Sequence, residues 1–223
     1  MSQISRGPLK NEIFQGSIKV ISFDAEGTLV TPDFSQCIWH EAIPSLYAQK
    51  RGVDLAQAKR LIVEEYDKVG DQRLEWYDIR YWFRYLGLGA PEAVIRSCLN
   101  KVCYYPEVSE ILSSLDGQYK LIVASATPLE LLHYLLRDVR SYFTHVFSSL
   151  SHYHQLKSPD FYLGVCKAIN VAPGQVVHVG DNWQFDFLIP KKVGVNAFYL
   201  DRSGNNDQES LVDLTQLKSR LLD

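Results

Sequence analysis

Two carboxylates follow directly after an apolar run near the start of the chain. The run from Ile18 to Phe23 leads into Asp24 and Glu26, and its composition predicts a buried β-strand. Gly27 then permits a sharp turn, and Thr28 adds a hydroxyl group. In an open parallel sheet, ligands bind outside the carboxyl ends of the strands. A carboxylate there can attack phosphorus, bind a metal ion, or do both, although the pattern alone is equally typical of a solvated acidic turn.

A hydroxyl group follows a second apolar run in the same way. The run from Tyr119 to Ala124 predicts a strand that ends at Ser125, and Pro128 is expected to open a helix. A hydroxyl together with free backbone amides at the start of a helix forms an anion site. Taken alone, Ser125 is more typical of an ordinary turn or cap residue.

Two later segments add a cation and two more carboxylates. Lys157 stands just before Ser158-Pro159-Asp160, a sequence that starts a helix, and by itself it is typical of a surface charge. Asp181 and Asp186 follow an apolar strand predicted to end at Val179, so a loop and the first helical turn can direct both into one site. A few hard oxygen ligands, with room for water and phosphate, suit Mg²⁺. A helix cap and a surface carboxylate would give the same pattern.

The order of the predicted elements indicates an α/β protein. Only helical patterns occur between about residues 33 and 105, and strands then alternate with helices to the end of the chain. Near-continuous apolar strands that alternate with helices predict a Rossmann-like parallel sheet with helices on both faces. We therefore expect a core formed by residues 17–32 and 106–223, and an inserted all-helical cap formed by residues 33–105. Because the insert leaves the sheet directly after the Asp24 turn, it should cover the carboxyl edge as a lid.

The composition is that of an ordinary globular protein. The chain has 223 residues, of which 46% are hydrophobic and 22% are charged, and its net charge is -3. This weak charge gives no reason to expect nucleic acid or an anionic membrane as a partner. No apolar run approaches the roughly 20 residues of a membrane helix. Residues 1–16 read as a loose lead-in without the layout of a signal peptide, so we expect a cytoplasmic protein.

The cysteines favour the same compartment. Cys37, Cys98, Cys103 and Cys166 form no CxxC pair, and three of them lie in helical patterns. We expect reduced thiols, as is usual in cytoplasmic proteins. A disulfide between Cys98 and Cys103 is the alternative.

Taken together, these segments resemble the motifs of the haloacid dehalogenase (HAD) superfamily, most of whose members are Mg²⁺-dependent phosphohydrolases. All four motifs stand in order at the expected strand ends, as Asp24-Ala25-Glu26-Gly27-Thr28, Ser125, Lys157 with Pro159-Asp160, and Gly180-Asp181 through Asp186. The resemblance covers the chain beyond its first 16 residues, and helices fill the gap after the first motif, as in members with an inserted helical cap. It implies Mg²⁺ as the cofactor and a small phosphorylated metabolite as the substrate.

The resemblance also implies a role for each matched residue. Asp24 would be the nucleophile and would form an aspartyl-phosphate intermediate, while Glu26 would be the general acid and base. Ser125 and the backbone amide of Ala126 would hold the phosphoryl group. Lys157 would neutralise charge between the nucleophile and the phosphate, two anions that otherwise repel each other.

A metal site is implied at the same place. The Asp24 carboxylate, the Glu26 backbone carbonyl and Asp181 would bind Mg²⁺, and Asp186 would bind it directly or through water. Such a set of oxygen ligands is the kind that Mg²⁺ prefers.

Two positions depart from the family pattern. Phosphatases of the family usually carry Asp where this chain has Glu26, and the extra methylene moves the proton donor by about 1.5 Å. A displacement of about 1 Å can lower the rate on the order of 10²-fold if the site does not compensate. The family often has Asn where this chain has Ala126, so a side-chain amide facing the phosphate is absent.

Two other functions fit the same fold. Metal-independent 2-haloacid dehalogenases resemble the pattern with Tyr in place of Glu26, and the retained Asp181/Asp186 pair favours phosphoryl transfer. A non-catalytic binding protein is supported only by the departures at Glu26 and Ala126, and buried charges at one site are costly unless they are used. The substrate itself is not identifiable. The aromatic segment Glu75–Tyr85 is more typical of the cap core than of substrate contacts. Arginines at positions 73, 80 and 84 could contact a charged or a ring-bearing leaving group, and the sequence does not select between the two.

Overall fold

A five-stranded parallel sheet forms the centre of the protein. The computed structural model describes residues 17–204 and 210–222, so the predicted lead-in lies outside the described residues. Across the sheet the strands stand in the order β3-β2-β1-β4-β5, and every neighbouring pair is parallel. Their bounds are Val20–Phe23 for β1, Lys120–Ser125 for β2, Phe143–Ser148 for β3, Val176–Gly180 for β4 and Asn196–Tyr199 for β5. The strand that carries Asp24 is therefore the central one.

Helices connect the strands and form the insert. The α-helices are α1 Asp33–Gln36, α2 Ile43–Arg51, α3 Leu55–Val69, α4 Leu74–Tyr77, α5 Ile79–Tyr85, α6 Glu92–Ser97, α7 Val108–Leu115, α8 Leu129–Leu135, α9 Ser149–Tyr153, α10 Pro159–Ala168, α11 Ile189–Lys192 and α12 Thr215–Leu222. One π-helical segment, Cys37–Ala42, joins α1 to α2, and another, Trp183–Leu188, leads into α11. Short 3₁₀ turns occupy Leu99–Lys101, Arg140–Tyr142 and Pro173–Gln175. Within the described ranges, no helix is long and apolar enough to cross a membrane.

The central strand is buried on both faces, as its apolar sequence predicts. Successive side chains of a strand point to opposite faces of the sheet. Ile21 and Phe23 pack with the helical insert, α7, α8 and α12, whereas Val20 packs on the other side with Phe161 of α10 and Ile189 of α11. These three apolar residues of β1 have no exposed surface. The predicted Rossmann-like sheet with helices on both faces is confirmed.

The insert contains helices and no strand among residues 33–101 of the described structure. Asp54 stands just before a helical pattern, where its residue type predicts an N-cap, and its side chain caps α3 by accepting a hydrogen bond from the Gln57 amide at 2.9 Å. The helical pattern of residues 74–86 predicts one helix, but the structure divides it at Asp78, whose carboxylate accepts the amide hydrogens of Arg80 and Tyr81 and so begins α5. The exact division of the chain into a core and a cap stays a prediction.

The cysteine prediction is wrong. Cys37 and Cys98 form a disulfide across a sequence separation of 61, with Cα atoms 5.8 Å apart, whereas Cys103 and Cys166 are free thiols. The pair meets because the π-helical segment packs against α6, a contact that no local spacing indicates. The cytoplasmic location stays a prediction, and the disulfide removes one of the reasons for it.

Candidate active site

The chemistry-bearing residues meet in one pocket at the carboxyl edge of the sheet. Asp24 directly follows β1, Ser125 ends β2 and Asp181 directly follows β4, and these three strands are neighbours. The pocket has a volume of about 620 Å³, and every predicted site residue lines it, namely Asp24, Glu26, Ser125, Ala126, Lys157, Asp181 and Asp186. The parallel sheet thus brings together side chains that are up to 162 positions apart (Asp186 minus Asp24).

Lys157 lies at the centre of the charged groups. Its Nζ atom is 2.5 Å from Asp24 Oδ1 and 2.5 Å from Asp186 Oδ1, and all three side chains are buried. Burial alone would lower the pKa of Lys157, but the two carboxylates outweigh this effect and raise it above the usual range. The lysine therefore carries a fixed positive charge beside the predicted nucleophile.

Three carboxylates define a candidate metal centre. Asp24, Asp181 and Asp186 each offer one oxygen atom, and these atoms lie within 4.8 Å of one another. A single nearby lysine does not neutralise three carboxylates, so a divalent cation with oxygen preference fits both the ligand type and the charge. Although Asp181 is exposed as a residue, its carboxyl group faces the pocket. There desolvation and the charges of Asp24 and Asp186 raise the pKa of Asp181 to about 7.

A second line of buried polar groups holds Asp186. His178 Nε2 lies 3.0 Å from Asp186 Oδ1, and Ser22 Oγ lies 2.8 Å from His178 Nδ1. The Asn182 amide donates to the other carboxylate oxygen at 3.0 Å. Burial alone would raise the pKa of Asp186, but Lys157 and His178 hold it below its usual range. Burial raises the pKa of Asp24, which Lys157 opposes and Asp186 reinforces.

Glu26 is fixed by a residue of the insert. The Ser35 hydroxyl, in α1, donates a short hydrogen bond to Glu26 Oε2. Desolvation raises the pKa of Glu26 to about 7, against the effect of the Ser35 hydrogen bond, and the charge of Asp24 raises it further. The longer acid at this position therefore has its own support.

The segment after β2 lines the part of the pocket where the phosphoryl group is predicted to bind. Ser125 Oγ donates to Thr127 Oγ1 at 3.3 Å and accepts the Thr127 amide hydrogen at 3.2 Å. The Leu129 amide, at the start of α8, donates to Ser151 Oγ at 3.0 Å. The backbone amides of Thr127 and Leu129 therefore already donate hydrogen bonds within the protein. Ser125 itself lines the pocket.

Sequence reasoning missed Ser22, Ser35, His178 and Arg202. Arg202 donates to the backbone oxygens of Gly27 and Thr28 at 3.1 and 2.7 Å, and its guanidinium lies 3.4 Å from the Tyr105 ring centroid. Ser22 and His178 face each other in the register of β1 and β4. The sequence signal that could have identified Ser22 and His178 is that each is a polar residue inside an otherwise apolar strand.

The family follows from the comparison with known proteins. The model described as "Hydrolase: haloacid dehalogenase-like hydrolase" matches residues 18–194. The chain therefore belongs to the haloacid dehalogenase-like hydrolases, and the predicted family is confirmed.

Individual proteins give more distant matches. GMP/IMP nucleotidase YrfG of Escherichia coli K12 is 29% identical over 87 residues, which are 35% of this chain and only 39% of that protein. Glyceraldehyde 3-phosphate phosphatase of Pyrococcus furiosus is 26% identical over 196 residues, which are 82% of this chain and 80% of that protein.

Solved structures share the fold. A HAD phosphatase from Thermococcus onnurineus matches with a TM-score of 0.82 and 23% identity, over 92% of this chain and 98% of that one. A 2-haloacid dehalogenase from Pseudomonas syringae pv. Tomato matches with a TM-score of 0.65 and 20% identity, over 92% and 98%. At these identities the likeness concerns the fold alone.

Proposed function

We propose that this chain is a Mg²⁺-dependent phosphohydrolase that cleaves a small phosphate monoester through a phosphorylated Asp24. The observation that carries the proposal is the contact of Lys157 with both Asp24 and Asp186 inside a pocket that Asp181 also lines. The similarity to a phosphatase along four fifths of the chain supports it. Glu26 supports it over dehalogenation, because only phosphoryl transfer needs a proton donor there.

In the proposed reaction, Asp24 attacks phosphorus. The Asp24 amide donates to the Val179 carbonyl at 2.9 Å, which fixes the backbone of the nucleophile. Lys157 engages Oδ1, so Oδ2 forms the new bond to phosphorus while the bond from phosphorus to the leaving oxygen breaks. The lysine offsets the repulsion between carboxylate and phosphate. Asp24, Asp181 and Asp186 would hold Mg²⁺, which supplies further positive charge to the phosphoryl oxygens when it is bound.

In the proposed reaction, Glu26 transfers the protons. With a pKa of about 7 it is about half protonated at neutral pH and more so below it, and the protonated form gives its proton to the leaving oxygen. In the second step the resulting carboxylate takes a proton from water, whose oxygen attacks phosphorus. Inorganic phosphate leaves and the Asp24 carboxylate is restored. Ser35 orients Glu26 in both steps.

The test is hydrolysis of p-nitrophenyl phosphate with Mg²⁺ and with excess chelator. We expect metal-dependent activity that falls by about 10³-fold or more in Asp24→Asn. Asp116→Asn is the matched control, because Asp116 is exposed and precedes β2 at the opposite edge of the sheet. An Asp24→Asn variant as active as the parent would refute the proposal, and so would chloride release from 2-chloropropionate without metal in place of phosphatase activity.

A further inference from the structure

The pocket is divided by charge. All Asp, Glu, Lys and Arg side chains that line the pocket in the described part of the chain belong to the sheet edge, and none belongs to the insert. The lining from the insert is mostly aromatic, with Trp39, His40, Tyr66, Trp76, Tyr77 and Tyr105. Since the phosphate binds at the sheet edge, the leaving group of the substrate must face this second half of the pocket.

No lysine or arginine of the insert (residues 33–105) lines the pocket, so none can form an ion pair with an anionic leaving group there. Arg73 forms an ion pair with Glu75 at 2.7 Å and Arg80 forms one with Glu130 at 2.6 Å, and neither lines the pocket. Arg202 does line the pocket, but each of its three side-chain nitrogens already contacts a protein oxygen, and its charge is paired with Glu107. A second carboxylate or phosphate on the substrate would lose hydration there without gaining an ion pair with a lysine or arginine.

The insert contributes two tryptophans to the pocket lining, Trp39 and Trp76, and both contact the ring of Tyr66, which also lines the pocket. The Tyr66 ring makes edge contacts with Trp39 and Trp76 at centroid distances of 5.9 and 6.1 Å. The Tyr66 hydroxyl donates to the Trp39 carbonyl at 3.2 Å, and the indole of the fully buried Trp82 donates to the Trp76 carbonyl at 3.2 Å. Trp39 and Trp76 are themselves half-buried, so part of each ring faces the pocket.

The part of the pocket lining that comes from the insert also offers hydrogen-bond groups that have no partner in the described protein. Across residues 17–204 and 210–222, no hydrogen bond joins the protein to the indole nitrogens of Trp39 and Trp76, the Tyr77 hydroxyl or the side-chain amide of Gln36. An indole N–H can only donate, so its partner on a ligand would be an acceptor. Flat apolar faces combined with a few polar groups are typical of sites for planar ring systems.

We propose that the leaving group is an uncharged alcohol with an aromatic ring that bears hydrogen-bond acceptors, and that this ring packs on Trp39 and Trp76. This inference rests on the phosphohydrolase function proposed above, since it concerns the other half of the same pocket. The bond that breaks is the one between phosphorus and the alcohol oxygen, which leaves with the proton from Glu26.

Matched substrates test the ring directly. Inosine 5′-monophosphate and ribose 5-phosphate share a primary alkyl phosphate and differ in the aromatic base, and benzyl and propyl phosphate form a smaller pair. Stacking of one base changes an equilibrium or a rate by about tenfold or more. We expect kcat/KM to favour the aromatic member of at least one pair by about that factor, and phosphoglycolate to be a poor substrate.

Variants then locate the preference. Trp39→Leu and Trp76→Leu should each remove most of the aromatic preference while kcat/KM for the ring-free member changes less than about threefold. Trp39→Phe should retain much of the preference, because it keeps an aromatic face. Trp183→Leu is the control, because Trp183 is exposed and does not line the pocket.

The two proposals fail in different ways. Equal hydrolysis of aromatic and ring-free esters, abolished by Asp24→Asn, would overturn the ring site and leave the phosphatase in place. A preference that survives in both leucine variants would also overturn it. Absence of all hydrolysis would refute the phosphatase. The ring site could then still be tested by titrating Asp24→Asn with inosine 5′-monophosphate and with ribose 5-phosphate while tryptophan fluorescence is monitored. Binding of the first ligand but not of the second would support the ring site, and equal binding would overturn it.

Discussion

Replacing Gly27 by alanine should disable the site through a single methyl group. Gly27 has a φ of +77°, and a Cβ atom built on it would lie 2.1 Å from Asp181 Oδ2 and 2.5 Å from Asp181 Cγ. Real Cβ contacts are not shorter than 3.0 Å, so the Asp181 carboxylate must retreat by about 1 Å. A displacement of that size at a reacting centre lowers the rate by on the order of 10²-fold. The left-handed backbone adds about 1–2 kcal/mol of strain for any residue but glycine.

Gly117→Ala separates these two effects. Gly117 has a φ of +78°, and a Cβ atom there would meet nothing within 4 Å. Both variants should therefore lose a similar free energy of unfolding, measured by urea denaturation. Only Gly27→Ala should also lose about 10²-fold in kcat/KM and require more Mg²⁺ for half-maximal rate.

A double-mutant cycle identifies the route of the effect. If Gly27→Ala acts by displacing Asp181, it should cost little further activity in an Asp181→Ala background. The reasoning is refuted if Gly27→Ala keeps activity within a few-fold of the parent, if Gly117→Ala is equally inactive, or if the losses of Gly27→Ala and Asp181→Ala simply add.

Three further predictions concern protons and the disulfide. Glu26→Gln should lower kcat/KM for alkyl phosphates by about 10²-fold or more, but much less for p-nitrophenyl phosphate, whose phenolate leaves without a proton; equal losses in steady-state assays would contradict this. The pKa of Asp181, about 7 in the folded protein and near 3.8 otherwise, means that the folded state holds an extra proton in this window. Stability without metal should therefore fall as pH rises from about 4 to 7, and thermal unfolding should show a larger stabilisation by Mg²⁺ at about pH 8 than at about pH 5.5; a stabilisation independent of pH would count against it. Cys98→Ser should lower the free energy of unfolding by up to about 4 kcal/mol, since the disulfide closes a loop with a sequence separation of 61. Urea denaturation of the oxidised protein measures this, with the exposed free thiol variant Cys103→Ser as the control, and parent stability in Cys98→Ser would refute it.

The sequence predicted the parts of this protein that depend on local pattern. Apolar runs followed by Asp24, Ser125 and Asp181 indicated strands with chemistry at their carboxyl ends, and parallel strands place those ends at one edge. Asp54 was expected to begin a helix and does so, because a cap involves residues only three positions apart.

Other features arise from contacts between distant segments. The Ser22–His178 pair spans 156 positions and depends on the register of β1 and β4. The Cys37–Cys98 disulfide depends on how two helices of the insert pack. Trp76 was expected in the cap core, but it lines the pocket and contacts Tyr66, a residue ten positions earlier in the chain.

The sequence by itself determined the family and the sheet and predicted a set of candidate site residues, because strand periodicity and motif order are properties of neighbouring residues. Only the tertiary structure decided which hydroxyl supports Glu26, which cysteines pair and which aromatic faces remain open. Those choices are made by side chains that pack across long sequence separations, where no local spacing specifies the partner.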